Sequence, residues 1–419
     1  MSRGPTALAC VCAALLLLFA GAAQTARAQP ANACSQMKGY LAQGTGSGGG
    51  LLVVNAQSGE VVCSSAATTP RPLASNMKLF TTSTALAKLG PEARIPTRVL
   101  AEGQIDAGGV LHGSLYLQGG GDPTLGTPAF YNSYLAGLGT NIFALTPQIK
   151  AAGITAITGR LYADPSIFDS RKGVKDSGYA TSPYIGPLSG LAFNSGFAGQ
   201  TSSSGFAREP AKLAASKLAR NLRAKGIRVP ARVAVARTPA SAKQVAIVKS
   251  PPLTKIVNTT DVYSDNFFAE MLIKLLGARF GGAGTTAAGA TVVSAFARSL
   301  GSGVHAVDGS GLTRTNTATP EQVVDLLVGM QSNPVGPEFI QDLALSGEEG
   351  TVDERMQGTA AYGRCRVKTG TLTGVSNLSG YCFNVSGKVM AFSILMGTVG
   401  STTQAHLDQD RIAGLVASY

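Results

Sequence analysis

From about residue 95 to residue 248 the chain reads as short alternating strands separated by Gly, Ser and Pro, whereas apolar helical periodicity dominates on both sides. This change of texture constrains the fold more than any other feature. Helix and sheet segments from both ends flank a β-rich stretch, the order produced when one domain interrupts another. One helix is predicted inside the stretch, over about 210–225, with Gly226 placed as its C-cap. No internal repeat of fixed period is visible.

Upstream of that stretch, "LLVVNAQSGEVVCSS" reads as two strands joined at Ser58-Gly59, after a Gly-rich run at 44–50. Pro70 and Pro72 then keep a helix from starting early, so Ser75 falls at the N-terminal end of "SNMKLFTTSTALAKLG", which Gly90-Pro91 closes. Downstream, helices are predicted over 266–280, 285–300 and 320–332. The strand-like segments "CRVKTGT", "NLSGYCFNV" and "KVMAFSILMG" follow, and then a last helix near 403–418.

The first 28 residues read as a secretory signal: Arg3, an apolar run over about 7–23, and the small-residue site Ala26-Arg27-Ala28. Cleavage there removes two of the 35 Lys and Arg and none of the 23 acidic residues, leaving 391 residues with a net charge of +10. Such a charge suits an anionic wall or membrane surface, so membrane contact is expected to be peripheral at most. Scattered basic residues and the lack of Trp argue against nucleic acid as a partner. Cys34, Cys63, Cys365 and Cys382 remain, an even count that implies two disulfides in an exported chain. Three pairings are possible, and sequence separation favours Cys34 with Cys63 and Cys365 with Cys382. With three histidines and no CxxC or HExxH, neither a metal nor a cofactor is called for.

Lys78 stands out in the helix that starts near Ser75, because it lies among Met77, Leu79 and Phe80 and three residues from a hydroxyl on the same helix face. Ser-x-x-Lys alone is weak, since Ser35-Gln36-Met37-Lys38 also fits it. The pair at Ser75 has two companions in order: Ser264-Asp265-Asn266 at an interhelical turn and Lys368-Thr369-Gly370 on an apolar strand. With these three motifs, the sequence resembles the D-Ala-D-Ala carboxypeptidase and endopeptidase family, the class C low-molecular-mass penicillin-binding proteins. "GGGDPTL" at 119–125, "DGSGLTRTN" at 308–316, "GEEGTVDERM" at 347–356 and "VKTGTLTGVSNLSGY" at 367–381 also look like that family, so the resemblance spans nearly the whole mature chain.

The resemblance implies an α+β fold: a serine transpeptidase/β-lactamase-like domain, with an antiparallel sheet flanked by helices, interrupted by a β-rich inserted domain. Residues 29–94 and 251–419 would form the catalytic domain and 95–250 a single accessory domain. It implies a serine carboxypeptidase acting on peptidoglycan stem peptides, with β-lactams as covalent inhibitors, in the periplasm or outside the cell. Opening an amide through an acyl-enzyme needs a nucleophile, a base, oxyanion donors and a grip on the substrate. Ser75 would attack, its N–H at the helix start serving the oxyanion. Lys78 would be the base, with its pKa lowered from about 10.4 by roughly 3 units through burial and a second cation, Lys368. Ser264 would relay a proton to the leaving amine, and Asn266 would hold Lys78 and a substrate amide, although both residues also suit helix capping. Lys368 with the hydroxyls of Thr369 and Thr371 would bind a C-terminal carboxylate. The Thr371 N–H would be the second oxyanion donor, and Gly370 would let the substrate approach the backbone. A hairpin of 364–371 with 376–383 would set Cys365 opposite Cys382.

Two other readings remain open at the level of sequence. A class A β-lactamase would need a deacylating glutamate in Glu-x-x-Leu-Asn, and Glu92, Glu102 and Glu209, the only glutamates between Ser75 and Ser264, do not have that setting. A non-catalytic wall-binding protein on a decayed fold is opposed by the intact motifs.

Overall fold

The computed structural model describes residues 30–419, so the signal segment expected at 1–28 lies outside the described residues. Six strands form an antiparallel sheet in the order Ala344–Leu345, Cys365–Leu372, Val375–Phe383, Val389–Gly397, Gly49–Asn55 and Val61–Ser65. The apolar run Leu51-Leu52-Val53-Val54 is continuous because both faces of the sheet are covered. Leu51 and Val53 join a core beneath the terminal helices Pro30–Thr45 and Thr402–Ser418, while Leu52 and Val54 join the core beneath the remaining helices. Successive residues thus face opposite sides of the strand, as a period of two requires.

On that second face pack the helices Met77–Leu89, Leu253–Val262, Asn266–Phe280, Thr286–Ser299 and Pro320–Gln331. A capping box at Thr319 and Gln322 starts the last of these, and Thr285 caps the one before it. The helix Pro30–Thr45 carries the second Ser-x-x-Lys, and there Ser35 and Lys38 both point to solvent.

The segment 96–249 builds a sheet of its own, in the order Ala234–Val235, Leu161–Asp164, Val110–Gln118, Pro96–Ile105 and Lys243–Lys249. Its apolar residues form a separate core with the inner face of the helix Pro210–Ala224, which includes Ala214, Leu218 and Leu222. The chain enters and leaves this segment side by side. Ser250 donates its N–H to the Ile95 carbonyl at 2.9 Å and accepts the Ile95 N–H on Oγ at 2.8 Å, and Leu253 N–H reaches the Ala93 carbonyl at 2.9 Å. A half-buried ion pair between Lys274 and Asp169 ties the helix Asn266–Phe280 to the 165–172 loop, where the Arg171 carbonyl takes a second lysine proton at 2.9 Å.

Among the described residues there are two disulfides, Cys34 with Cys63 and Cys365 with Cys382. The strand register places Cys365 opposite Cys382 and Thr371 opposite Ser376.

Candidate active site

Ser75 lies in a tight 3-10 turn, Ala74–Asn76, and the α-helix begins only at Met77. The α-helix therefore starts two residues later than expected, and the turn before it is held from outside. Ala74 has φ +45°, a left-handed conformation that costs a non-glycine residue about 1–2 kcal/mol. The strand Cys365–Leu372 lies directly on this turn: a Cβ on Gly370 would sit 2.9 Å from the Leu73 carbonyl oxygen. Asn76 Nδ2 donates to the Lys368 carbonyl at 2.9 Å, and Asn76 Oδ1 accepts from Ser379 Oγ at 2.7 Å. Asn377 Nδ2 donates to the carbonyls of Pro72 at 2.9 Å and Leu73 at 2.8 Å. Buried amides such as these fix a turn because each would cost about 1–3 kcal/mol if left unmet.

One helical turn beyond Ser75, Lys78 is fully buried, and its three donor positions are all taken. Nζ lies 2.9 Å from Ser75 Oγ, 2.7 Å from Asn266 Oδ1 and 3.0 Å from the Ser310 carbonyl. Burial pushes its pKa down to about 8, against the opposing pull of Asp265, Asp261, Glu270 and Asp308. Lys368 is also fully buried, with one acceptor, the Thr369 carbonyl at 3.2 Å. Burial lowers its pKa first and the charge of Lys78 second, while Asp261 opposes both. Burial alone lowers Lys78, so the expected influence of a second cation runs from Lys78 to Lys368.

Ser310 belongs to a loop folded around carboxylates. Asp308 accepts the N–H groups of Gly311 and Thr313 and the Asn316 amide, each at 2.8 Å. Glu270 Oε1 accepts the N–H groups of Gly309 at 2.9 Å and Ser310 at 2.7 Å. Gly311, with φ +85°, lies so close to the Ser75 turn that a Cβ there would be 1.7 Å from the Ala74 carbonyl oxygen. No side chain can replace that hydrogen.

Ser264 lies in the turn between the helices Leu253–Val262 and Asn266–Phe280, and Asn266 is the first residue of the second. The N-cap of the second helix is neither of them: Asp265 accepts the Phe268 N–H at 2.8 Å. This leaves Asn266 to bond Lys78 through its oxygen and the Tyr184 carbonyl, at 3.1 Å, through its nitrogen. Ser264, at φ +58°, makes no hydrogen bond among the described residues and lines a recess of about 290 Å³ with Asn266, Tyr184, Phe197 and Phe206.

On the Lys368 strand, main-chain direction follows from the ladder. The Phe383 N–H bonds to the Arg364 carbonyl, and Cys365 exchanges bonds with Ser346 on the other side, so alternate residues from Cys365 onward turn their N–H and C=O away from the neighbouring strand. Thr369 and Thr371 fall in that set. The outer strand Ala344–Leu345 pairs only with Val367 and Arg366, which leaves the edge at Thr369 and Thr371 without a partner strand. Thr371 is exposed there, but the Thr369 hydroxyl donates to Thr351 Oγ1 at 2.8 Å.

The structure thus gathers Ser75, Lys78, Asn266, Lys368 and Gly370 around one turn, with Ser264 on the adjoining recess. Asn76, Asn377, Ser379, Glu270, Asp308 and the Ser310 carbonyl were not singled out in the sequence, although several lie inside stretches that carried the family resemblance. Among the described residues no group of three or more His, Cys, Asp and Glu could hold a metal ion, and no helix is long and apolar enough to cross a membrane.

The sequence matches the model of the D-Ala-D-Ala carboxypeptidase 3 (S13) family over residues 34–204 and 196–419. It is 31% identical to a D-alanyl-D-alanine carboxypeptidase of Actinomadura sp. (strain R39) over 452 residues, 88% of this chain and 81% of the relative. The fold is similar to that of penicillin binding protein 4 from Haemophilus influenzae, with a TM-score of 0.78 at 20% identity over 92% of this chain and 99% of that one. It is also similar to the same protein complexed with a β-lactam, with a TM-score of 0.72 at 20% identity over 90% and 97%.

Proposed function

Since the chain belongs to the D-Ala-D-Ala carboxypeptidase 3 (S13) family, a family of serine carboxypeptidases, we propose that it trims peptidoglycan stem peptides through an acyl-enzyme on Ser75. The observation that carries this assignment is the 2.9 Å contact of Ser75 Oγ with a buried lysine whose pKa is lowered to about 8. Neutral Lys78 takes the hydroxyl proton as Oγ attacks the carbonyl of the penultimate D-alanine. The N–H groups of Ser75 and Thr371 receive the oxyanion, in line with the outward direction of the Thr371 main chain. The Ser264 hydroxyl passes the proton from Lys78 to the departing amine, and water then opens the ester.

Lys368 binds the terminal carboxylate together with Thr371. A carboxylate beside Lys368 favours its charged form, and a charged Lys368 disfavours a second positive charge on Lys78. Substrate binding therefore prepares the base. Thr369 contributes its outward main chain more than its hydroxyl, which Thr351 already holds. Residues 29–94 and 251–419 make up the catalytic domain and 95–250 an inserted accessory domain, a division supported by the separate apolar core of that segment. β-Lactams acylate Ser75, and the enzyme works outside the cytoplasm, in the periplasm or at the wall.

A lactamase reading gains nothing from the geometry. Glu102 accepts the Tyr116 hydroxyl at 3.0 Å, Glu209 pairs with Lys212, and Glu92 is exposed. The test follows both substrates on mature protein. One penicillin is taken up per Ser75 and released very slowly, D-Ala-D-Ala peptides turn over repeatedly, and Ser75→Ala loses both activities. Sustained rapid penicillin hydrolysis with peptides untouched would make it a lactamase, and neither labelling nor release would make it a binding protein.

A further inference from the structure

Basic residues are spread along the whole chain, but the net charge is concentrated in one place. Arg3 and Arg27 aside, 33 Lys and Arg face 23 Asp and Glu; eleven of the basic and one of the acidic residues fall between Arg208 and Lys249, which leaves 22 of each in the rest of the mature chain. About a tenth of the mature chain thus holds its whole net charge of +10.

Six of these residues, Lys217, Arg220, Arg223, Lys225, Arg228 and Arg232, follow the outer face and C-terminal end of the helix Pro210–Ala224 and the loop after it. Lys217 is half-buried and the other five are exposed. Among the described residues none of the six forms an ion pair; the one acidic residue of the segment, Glu209, is taken by Lys212. Arg223 Nη1 donates to the Pro230 carbonyl at 3.4 Å, which holds the loop against the helix end. A basic last turn suits the helix dipole, but that accounts for Arg223 and Lys225 and not for Arg228 or Arg232.

Two recesses flank the helix. One, of about 520 Å³, is lined by Lys217 and Arg220, and the other, of about 510 Å³, by Arg223 and Arg228. The apolar side of the helix, Ala211, Ala214, Ala215, Leu218, Ala219 and Leu222, is buried in the core of the second sheet. A helix that binds a bilayer lies with an apolar face in the lipid, and this one has none to offer. A ridge of cations between two hollows matches a flexible chain whose anionic groups recur along its length.

We propose that this face docks an anionic polymer of the cell wall, one bearing phosphodiester or carboxylate groups, and so holds the enzyme on its insoluble substrate. The choice of a wall polymer rests on the proposed function, whereas the cationic face itself does not. Binding is electrostatic, screened over a Debye length of about 8 Å at physiological salt, and separate from the chemistry at Ser75.

The test measures co-sedimentation of mature protein with three probes: wall fragments carrying their anionic polymers, the same fragments after chemical extraction of those polymers, and vesicles of anionic phospholipid. Intact protein should bind the first probe at least about tenfold more tightly than the other two and lose most of that binding between 50 and 500 mM salt. The triple variant Arg220→Glu/Arg223→Glu/Arg228→Glu should lose it at low salt while hydrolysing a soluble D-Ala-D-Ala peptide at the wild-type rate, which shows that it is folded. Equal binding by the variant, equal binding to stripped fragments, or preference for the vesicles would each overturn the proposal. Failure of the intact protein to release D-alanine would instead strike the carboxypeptidase assignment, because that assay contains no polymer.

Discussion

In the proposed mechanism Lys78 and Lys368 set the chemistry through what surrounds each ammonium. Lys78 acts as a base only when neutral, so kcat/KM rises with pH through about 8 in the free enzyme. The Asn266 oxygen at 2.7 Å favours the charged form. Its removal in Asn266→Ala should shift that acid limb to lower pH while kcat falls roughly a hundredfold as the base loses its aim. An unmoved limb in the pH–rate profile would mean that Asn266 serves the substrate alone. Lys368 has a single acceptor, a neighbouring carbonyl, which leaves two protons for a ligand. Lys368→Ala should therefore raise KM for a free-carboxylate peptide by roughly 10- to 150-fold, the worth of one charge-assisted bond of about 1.5–3 kcal/mol, and raise it far less for the corresponding amide. Matching losses on the two substrates would show that Lys368 acts on Lys78 instead.

Elements deliver these residues by close contact between turns and a strand. The loop around Asp308 touches the nucleophile turn at Gly311, where both the positive φ and the 1.7 Å approach exclude a side chain. Gly311→Ala is expected to slow penicillin acylation by more than about a hundredfold, because a misplacement of 1 Å at a reacting centre is enough for that. Stopped-flow labelling measures it, with unchanged labelling as the contrary result. Much of this level was legible in the sequence. The helix Asn266–Phe280 has the predicted bounds, and Pro210–Ala224, Thr286–Ser299 and Pro320–Gln331 differ from theirs by a residue or so, since apolar periodicity and caps are local signals. The helix Pro30–Thr45 was missed because its apolar stripe is thin and runs into a glycine-rich stretch. Ser310 was unreadable as a site residue for a different reason: it contributes a carbonyl, which every residue has. Asp265 rather than Ser264 or Asn266 caps its helix, and only the left-handed turn at Ser264 decides between them.

At the scale of the molecule, the segment 96–249 is joined through two adjacent crossings and through side chains that reach across. Tyr184 offers its carbonyl to Asn266, and Asp169 receives Lys274, which is fully buried while Asp169 is 26% exposed. Lys274→Met should lower the urea midpoint by the equivalent of about 2 kcal/mol, less than the roughly 3–5 kcal/mol of a wholly buried pair because water still reaches the aspartate. An unchanged midpoint would mean that the two parts are held by their apolar contacts alone.

The strand Gly49–Asn55 pairs with Val389–Gly397, and the turn that carries Ser75 is pinned by Asn377 and Ser379. Contacts between residues some three hundred positions apart make folding slow, because a long loop must close before they form. On the proposed route of export they also set an order of events: while the chain is still threading across a membrane, the Ser75 turn lacks the strand that shapes it, and the proposed chemistry must wait until nearly all of the length has emerged on the far side.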